Sequence, residues 1–574
     1  MSSLRAWFLR IHLKWLLTAF CAAATARLLV LPVSSAVGAG HPVEAEHGMV
    51  VSVSGPASEV GVQILKRGGN AVDAAVATAF ALAVTYPQAG NLGGGGFMLV
   101  HPDGGKGKPT VFEYRETAPA AATKNMLSND DNEYGHKVVG VPGTVRGLAL
   151  AHQRYGKLPW KTVVTPALRL AEEGFLINDY LAGSLNWLVW RASDFPELRR
   201  VYGKQNGRLE WHAGDRLVQK DLAWTLHLIA ENGADAFYRG AIADKIAAEM
   251  RAGGGLITGA DLEAYEAKER APIHGTYRGF DVYGPPPPSS GGICLVEMLN
   301  ILEHFDLRKH GRFSPETLHV MIEAMRRAYC DRARFLGDAD FVKIPAHLTS
   351  KDYARQLAQG IDLSRATPSA DLAPDISLSA EGANTTHFSV IDKDGMAVAN
   401  TYTLEHSYGS RVVVKGAGFL LNDEMLDFNR KPGVTNRRGA IGTEANLIAP
   451  GKRMLSSQTP TIIARNGKVV LVTGSPGSRT IINTVLNIVV NVIDFNMDIR
   501  AAVDAPRLHQ AWFPDTVRFE GKNRYPETVA QLRKMGHRIE STKQGDAHSI
   551  WVDPKTGHCF GAEDKRIDGR LSSY

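Results

Sequence analysis

The sequence predicts a layered α/β protein in which helices cover antiparallel sheets. Three observations favour this class. Apolar segments with helical spacing dominate the chain before residue 361. A strong hairpin pattern follows at 386–404, where apolar residues flank a short turn. An apolar helical segment at 479–495 then comes after the strands, so helices stand on both sides of the strand-rich region.

The composition is typical of a folded globular protein. The 574 residues predict about four domain-sized units or fewer large ones. The hydrophobic fraction of 44% and the charged fraction of 22% exclude a disordered chain, a collagen-like fibre and a polytopic membrane protein. A net charge of +6 does not indicate a nucleic-acid partner, and four cysteines exclude a disulfide scaffold.

The first 39 residues have the layout of a secretory signal peptide. A basic start precedes an apolar core at 15–26, and small residues follow at 34–39. We expect export to the periplasm or the exterior, with cleavage after Ala26, Ala36 or Ala39. An uncleaved membrane anchor is the alternative, and the arginine that interrupts the apolar run disfavours it. Removing 1–39 lowers the net charge from +6 to +2, because this segment holds four basic residues and no acidic one.

The mature chain begins with two predicted helices between residues 57 and 87, separated at Gly68–Asn70. The second is apolar all round, which predicts burial. The glycine run 90–96 then precedes a strand at 97–100. No Gly-Lys-Ser/Thr ending follows, so the run is not a phosphate loop, and we expect its glycines to allow close backbone approach.

The middle of the chain is predicted to be mainly helical. Residues 141–260 carry helical patterns with polar breaks. A proline-rich turn at 285–292 precedes an apolar helix at 293–305, and a Ser-Pro pair at 314 opens a long amphipathic helix. Residues 361–384 are polar and rich in Ala, Ser and Pro, which predicts an exposed, flexible linker.

Strand patterns then take over. The predicted strands are 386–391, 396–404, 459–463, 469–472 and 549–552, with the helix 479–495 after the fourth. The first hairpin also predicts a register. With Gly395 at positive φ in a three-residue loop, Asp392 pairs with Met396, and the same register puts Thr385 opposite Thr403.

Several familiar catalytic patterns are absent from the sequence. It has no His-Glu-x-x-His, no pair of cysteine doublets, no G-x-S-x-G and no dinucleotide fingerprint before a helix. The cysteines at 294, 330 and 559 are too widely spaced to suggest a metal site. What remains is the junction 384–387, Asn-Thr-Thr-His, which on its own has the composition of an ordinary strand.

A family resemblance gives this junction a specific meaning. Residues 385–390, Thr-Thr-His-Phe-Ser-Val, with the turn 392–395, closely resemble the start of the small subunit of γ-glutamyltranspeptidases. The likeness covers almost the whole mature chain. The other matching segments are 68–75, 115–119, 140–143, 287–292 and 455–457.

The resemblance implies an N-terminal-nucleophile hydrolase, a four-layer αββα sandwich made as one precursor. Thr385 Oγ1 is expected to attack the carbonyl of Asn384, giving a large chain 40–384 and a small catalytic chain of 190 residues, 385–574. The freed α-amine, with a reference pKa of about 7.7–8.0, then accepts the hydroxyl proton. Thr403 matches the threonine that orients the nucleophile. No cofactor is implied.

The same resemblance implies the substrate site. Arg115 matches the arginine that binds the substrate α-carboxylate, a bidentate role that suits a guanidinium group. Glu424 and Asp427 match the acidic positions that hold the α-ammonium; without the family they fit a solvated loop. The remaining matches are Ser456 and Ser457 at the carboxylate, and Gly477 and Ser478 at the oxyanion hole.

Three positions depart from the family pattern. Glu405 replaces an asparagine beside the substrate carboxylate, which it repels unless Arg115 or a proton offsets its charge. Ser478 replaces a glycine, so the loop is less free to adopt positive φ. Arg438 stands where the lid often has an aromatic residue.

The expected activity is that of a γ-glutamyltransferase or hydrolase acting on glutathione-like compounds. A γ-glutamyl ester on Thr385 is resolved by water or by an amino acid or peptide acceptor, and the two chains form a heterodimer. The Glu405 departure motivates a second candidate, an acylase acting on glutaryl-type amides. A third reading is a homologue that is processed but only binds its ligand. The sequence leaves the balance of hydrolysis and transfer open.

Overall fold

Two antiparallel seven-stranded sheets pack face to face, and helices cover both outer faces. A computed structural model of the chain describes residues 40–102, 107–127, 133–373, 379–380, 384–429, 439–440 and 443–574. At 379–380, 384 and 439–440 only the backbone is described. The predicted signal peptide, 1–39, and Arg438 lie outside the described residues.

The first sheet holds the predicted nucleophile strand at its centre. Its strands are β2 (Met49–Ser52), β3 (Gly95–His101), β4 (Thr110–Glu113), β7 (Lys268–Arg270), β11 (Asn384–Ile391), β12 (Ala397–Glu405) and β21 (Arg570–Ser573). Their order is β21-β2-β11-β12-β3-β4-β7. The predicted hairpin is therefore confirmed as β11–β12, flanked on both sides by strands from the N-terminal part of the chain.

The second sheet is built in the same mixed way from early and late segments. Its strands are β1 (Val43–Ala45), β8 (Ile273–Tyr277), β9 (Phe280–Gly284), β14 (Thr461–Arg465), β15 (Lys468–Thr473), β19 (Ser549–Val552) and β20 (Cys559–Ala562). Their order is β1-β20-β19-β15-β14-β9-β8. Short ladders elsewhere join β5 (Phe175–Leu176) to β6 (Arg216–Leu217) and β10 (Ser379–Ala380) to β13 (Gly439–Ala440). A three-stranded ladder has the order β16 (Leu508–His509), β17 (Val517–Phe519), β18 (Ile539–Glu540).

Strand alternation separates the inner core from the outer ones. In β3, Phe97 and Leu99 face the second sheet, whereas Met98 and Val100 face the helices, because successive side chains point to opposite faces. All four are fully buried. The four-layer arrangement predicted from the family resemblance is thus confirmed.

Within the described ranges, ten helices pack in the core outside the first sheet. They are α1 (Gly55–Lys66), α2 (Ala71–Thr85), α3 (Thr144–Tyr155), α4 (Trp160–Glu173), α5 (Asp179–Trp190), α6 (Pro196–Tyr202), α7 (Lys220–Asn232), α8 (Asp235–Tyr238), α9 (Ala241–Gly253) and α10 (Gly259–Ala264). The sequence correctly predicts α2 as a buried helix, since every residue of it is buried. Asn70 and Asp73 form a capping box at its start.

Another eight of the helices in the described part of the chain belong to the core outside the second sheet. They are α11 (Gly291–Leu302), α12 (Leu307–His310), α13 (Pro315–Phe335), α14 (Lys351–Gln359), α15 (Ser369–Leu372), α16 (Thr480–Ile493), α17 (Ile499–Asp504) and α18 (Pro526–Lys534). None of the helices in the described ranges has the length and apolar character needed to cross a membrane.

The predicted exposed linker at 361–384 is wrong for part of its first half. Seven of the residues 361–373 are exposed, but the segment includes α15, where Ser369 is fully buried. The Ser369 hydroxyl accepts a hydrogen bond from Arg326 at 2.8 Å, and its carbonyl accepts one from Trp512 Nε1 at 2.8 Å. Ser369 thus binds buried donors, although composition predicted that it faces solvent. Residues 374–378 and 381–383 lie outside the described ranges.

Candidate active site

A β-bulge lies next to Thr385 at the open end of the central β11–β12 hairpin. Thr385 pairs with Thr403 while Asn384 pairs with Glu405, so Leu404 has no residue opposite it. The predicted register is confirmed, and the bulge adds a local twist that can aim a side chain into a site. Because directly opposed residues share a face of the ladder, the Thr385 and Thr403 side chains lie together. Thr385 is 5% exposed.

Thr403 is held by the glycine run that precedes β3. Asn91 Nδ2 donates to the Thr403 carbonyl at 2.9 Å, and Asn91 Oδ1 accepts from the Gly94 N–H at 3.0 Å. A Cβ on Gly94 would lie 2.0 Å from the Thr403 carbonyl oxygen, so the expected close backbone approach is confirmed. The Thr403 hydroxyl accepts from the Glu405 N–H at 2.8 Å.

A small cleft brings together most of the predicted site residues. Its lining consists of Arg115, Arg332, Thr385, Thr403, Glu405, Asp427, Ser456, Ser457, Gln458, Ser478 and Ile481. Of the other predicted residues, Glu424 is fully buried against Arg115, and Gly477 precedes Ser478 in the loop. Only the backbone of Asn384 is described.

Arg115 is the centre of charge in the cleft. It is 1% exposed, and its guanidinium binds Glu424 at 2.5 Å and also binds Asp427. Burial raises the pKa of Glu424 well above its ordinary value, against the lowering effect of Arg115. Burial also raises the pKa of Glu116 to about 8. One guanidinium therefore faces more carboxyl groups than it can neutralise.

The serine pair is anchored by the proline-rich turn and by α13. Ser290 Oγ donates to the Ser456 carbonyl at 2.7 Å, and the Ser456 N–H donates to Pro288 at 2.9 Å. Arg332 joins the two segments, since its guanidinium donates to Ser290 Oγ at 2.9 Å and to Ser457 Oγ at 3.0 Å. The Ser456–Ser457 backbone is thereby fixed beside Arg115.

The loop before α16 borders the cleft, where Ser478 forms part of the lining. Gly477 has φ of 125° and Ser478 has φ of 53°, so the serine occupies the left-handed region that the sequence predicted to be unfavourable for it. Neither residue's N–H donates to another described residue. Thr480 Oγ1 donates to the Gly477 carbonyl at 2.6 Å, which ties the loop to the start of α16. Two backbone N–H groups of this kind can stabilise the negative charge of an oxyanion.

Three positioning residues were not predicted from the sequence. Asn91 holds Thr403, and Arg332 holds Ser457. Asn422 braces the 3₁₀ turn Glu424–Asp427, because its Oδ1 accepts from the Glu424 N–H at 3.0 Å while its Nδ2 donates to the Gly93 carbonyl at 2.8 Å. A short amide side chain inside a glycine run was the available signal for Asn91. Arg332 lies in the amphipathic helix α13, where the sequence pattern gives no sign of its role.

Two groups of side chains in the described ranges have metal-ligand spacing, and both already have cations beside them. His319, Glu323 and His537 are buried together, but Glu323 pairs with Arg327 at 2.6 Å, and Arg326 also contacts this group. Glu405, Glu424 and Asp427 form the second group, where Arg115 is the cation. The positive charges of these arginines repel a metal cation and so oppose its binding.

A sandwich of two sheets, with Thr385 and Thr403 lining a cleft at the central strands, is the architecture of an N-terminal-nucleophile hydrolase. The crystal structure of cephalosporin acylase from Bacillus halodurans matches 93% of this chain and 97% of its own, with a TM-score of 0.81 and 28% identity. Gamma-glutamyltranspeptidase from Helicobacter pylori matches 57% of this chain and 94% of its own, with a TM-score of 0.53 and 40% identity.

The sequence comparisons narrow this class to one family. The gamma-glutamyltranspeptidase family model matches residues 57–574. The glutathione hydrolase proenzyme of Escherichia coli K12 is 47% identical over 580 aligned positions, which cover 98% of this chain and 99% of that protein. The chain belongs to the gamma-glutamyltranspeptidase family.

Proposed function

We propose that this chain is a self-processing γ-glutamyl hydrolase and transferase acting on glutathione-like compounds. The observation that carries the proposal is the gathering of Thr385, Thr403, Arg115 and Asp427 in one cleft. A nucleophile, its orienting hydroxyl and groups of both charges suit a substrate that bears an α-amino acid next to the reacting amide. The relatedness to glutathione hydrolase proenzymes supports the same substrate class.

Processing comes first in the proposed sequence of events. Thr385 Oγ1 attacks the Asn384 carbonyl, the acyl group moves from nitrogen to oxygen, and water hydrolyses the ester. The products are the chains 40–384 and 385–574, which stay together as a heterodimer. Thr403 orients the hydroxyl through its place across the ladder.

Turnover then uses the α-amine that processing creates. With a reference pKa of about 7.7–8.0, this amine accepts the Thr385 hydroxyl proton near neutral pH. Arg115, Ser456 and Ser457 bind the substrate α-carboxylate, while Glu424 and Asp427 receive the α-ammonium. The N–H groups of Gly477 and Ser478 stabilise the oxyanion. Water or an amino acid or peptide acceptor resolves the γ-glutamyl ester, and no cofactor takes part. Residues 1–39 are proposed to direct export.

Thr385→Ala tests both steps. The purified wild type is expected to run as two chains on a denaturing gel, and Thr385→Ala as one, because the attacking hydroxyl is gone. Thr385→Ser keeps a hydroxyl and is the matched control that still splits. Product analysis of the wild type with glutathione, with and without a dipeptide acceptor, separates hydrolysis from transfer. Cleavage of the Thr385→Ala chain after Asn384 would contradict the proposed mechanism.

A glutaryl-type acylase is the second candidate, and Glu405 is the observation that favours it. A glutaryl group has the carboxylate of a γ-glutamyl group but lacks its α-ammonium. The net charge of Glu405, Glu424 and Asp427 therefore determines which of the two substrate classes binds better. Rates on γ-glutamyl and glutaryl anilides compare them directly. Faster glutaryl turnover would make the acylase the better description.

A further inference from the structure

Exposed apolar side chains are concentrated on one helix and on the segments beside it in the sequence. Six of the nine large apolar residues that are exposed in the described part of the chain lie between residues 176 and 218. They are Leu176, Tyr180, Trp187, Trp190, Leu209 and Val218. Single exposed apolar residues are ordinary, whereas several of them on one surface mark a site of interaction.

One side of α5 carries the three aromatic members of this group. Tyr180, Gly183, Trp187 and Trp190 follow one another at intervals of three or four residues, which is the repeat of a helix face. We call this face the α5 stripe. The opposite face of the helix packs into the core through its leucines, Leu181, Leu185 and Leu188. The helix is therefore held firmly, and the stripe is the side that it turns to solvent.

Gly183 leaves a gap in the middle of the α5 stripe. A Cβ at this position would have nothing within 4 Å of it. The Trp187 and Trp190 side chains stand out from the surface, since they are 41% and 75% exposed. The stripe thus carries a gap and projecting rings together, which are the two halves of a knob-into-hole contact between helices.

Opposite charges stand at the two ends of the stripe. Asp179 is the first residue of α5, and Arg191 follows its last residue. The Arg191 Cζ atom lies 5.1 Å and 5.5 Å from the ring centroids of Trp187 and Trp190. Neither Asp179 nor Arg191 forms an ion pair within the described part of the chain. The two residues are about 18 Å apart along the helix, too far to neutralise one another.

We propose that the α5 stripe binds the α5 stripe of a second copy of this chain in an antiparallel, two-fold arrangement. A two-fold axis beside residue 185 sets Gly183 level with the partner's Trp187, so each tryptophan fills the gap on the other copy. Both residues lie two positions from the axis. Equal spacing from the axis is the condition for a self-complementary two-fold interface.

The other features of the stripe have the same symmetry. Tyr180 lies level with the partner's Trp190, and Asp179 lies level with the partner's Arg191. Antiparallel packing also sets the positive end of one helix dipole beside the negative end of the other. None of the described residues that line the active-site cleft lies on α5. The inference is therefore independent of the proposed γ-glutamyl activity.

Sedimentation equilibrium of the wild type, from about 1 to about 100 µM, measures the assembly. The mass is expected to rise with concentration toward that of two copies. Gly183→Leu has free space around its Cβ in one copy but fills the gap, so it is expected to raise the dissociation constant by roughly 30-fold or more. Phe341→Ser is the matched control, because it removes a 48% exposed aromatic residue outside the stripe and keeps the wild-type constant.

An exchange of the two charges tests the antiparallel direction. Asp179→Arg and Arg191→Glu are each expected to weaken the dimer, because each sets like charges side by side at both ends of the interface. The double variant is expected to bind more tightly than either single variant, since it restores opposite charges. Far-UV circular dichroism verifies that every variant is folded. A double variant no tighter than both single variants overturns the antiparallel pairing.

The other possible occupants of the stripe are a lipid surface and a different protein. A wild type that keeps the mass of one copy at every concentration overturns the inference. Its co-sedimentation with vesicles of phosphatidylglycerol and phosphatidylethanolamine would then identify a lipid surface instead. A dimer that Gly183→Leu leaves unchanged also overturns the inference, because its interface lies elsewhere. None of these measurements uses catalytic activity, so failure of the proposed function leaves the inference standing.

Discussion

Single residues decide the chemistry of the cleft, because its groups work only at hydrogen-bond distance. Leu404 is the extra residue in the β11–β12 ladder, and it lets Thr385 face Thr403 while Asn384 faces Glu405. The Thr403 hydroxyl in turn accepts the Glu405 N–H at 2.8 Å. Thr403 is thus a connection between the predicted nucleophile and the acidic residue that departs from the family pattern.

Replacement of Thr403 by valine tests this connection. Thr403→Val keeps the shape but removes the hydroxyl, leaving the Glu405 N–H without its acceptor. Loss of a buried partner costs about 1–3 kcal/mol of stability. Because the hydroxyl proposed to orient Thr385 is also lost, self-splitting is expected to slow by up to roughly 100-fold, the effect of misplacing a reacting group by about 1 Å. The rate is followed on denaturing gels. Thr403→Ser, which restores the hydroxyl, is the control, and a wild-type rate for the valine variant contradicts the proposed role.

At the scale of elements, the glycine run and β12 form one unit. The backbone before β3 approaches β12 so closely that no side chain fits between them, as the 2.0 Å distance at Gly94 shows. Asn91 then closes the unit by bonding to both sides. Glycines here serve packing and not flexibility, since they let the strand that carries Thr403 lie against the loop.

Gly94→Ala is therefore expected to be destabilising. Its Cβ would meet the Thr403 carbonyl at 2.0 Å, and overpacking of this kind costs about 1–3 kcal/mol. The midpoint of thermal unfolding should fall, and self-splitting should slow because Thr403 is displaced. Gly183→Ala is the matched control: nothing lies within 4 Å of its Cβ on α5, and it is expected to stabilise by about 0.5–1 kcal/mol. A wild-type midpoint for Gly94→Ala would contradict this.

At the scale of the whole molecule, the two proposed chains are interleaved. In the first sheet, β11 pairs with β2, and β12 pairs with β3, so strands after Asn384 lie between strands before it. In the second sheet, β14 pairs with β9, and β20 pairs with β1. Cleavage of one peptide bond leaves these ladders and the core between the sheets intact.

The split protein is consequently expected to remain one particle. On gel filtration in native buffer, the two chains should co-elute at the volume of the unsplit Thr385→Ala precursor, because separation requires breaking both sheets and exposing their shared core. They should separate only in denaturant. Two peaks in native buffer contradict the interleaved heterodimer. The 385–574 chain expressed alone is expected to remain unfolded, since it lacks four of the seven strands of the first sheet and three of the seven strands of the second.

The sequence by itself determined the features that depend on nearby residues. The hairpin register followed from turn length and strand alternation, the burial of α2 from its apolar composition, and the close approach at 90–96 from its glycines. The family motifs supplied the site residues. Each of these signals acts over a few residues, where backbone geometry and side-chain periodicity leave little choice.

Only the tertiary structure decided how distant groups meet. Arg115 and Asp427 are 312 residues apart in the chain, yet they share an ion pair, and the excess of carboxyl groups around Glu405 exists only once the turn Glu424–Asp427 docks against Arg115. The burial of Ser369, in a segment that composition had assigned to solvent, has the same origin. Burial and charge density are properties of the packed molecule, because the dielectric environment of a group depends on every segment that surrounds it.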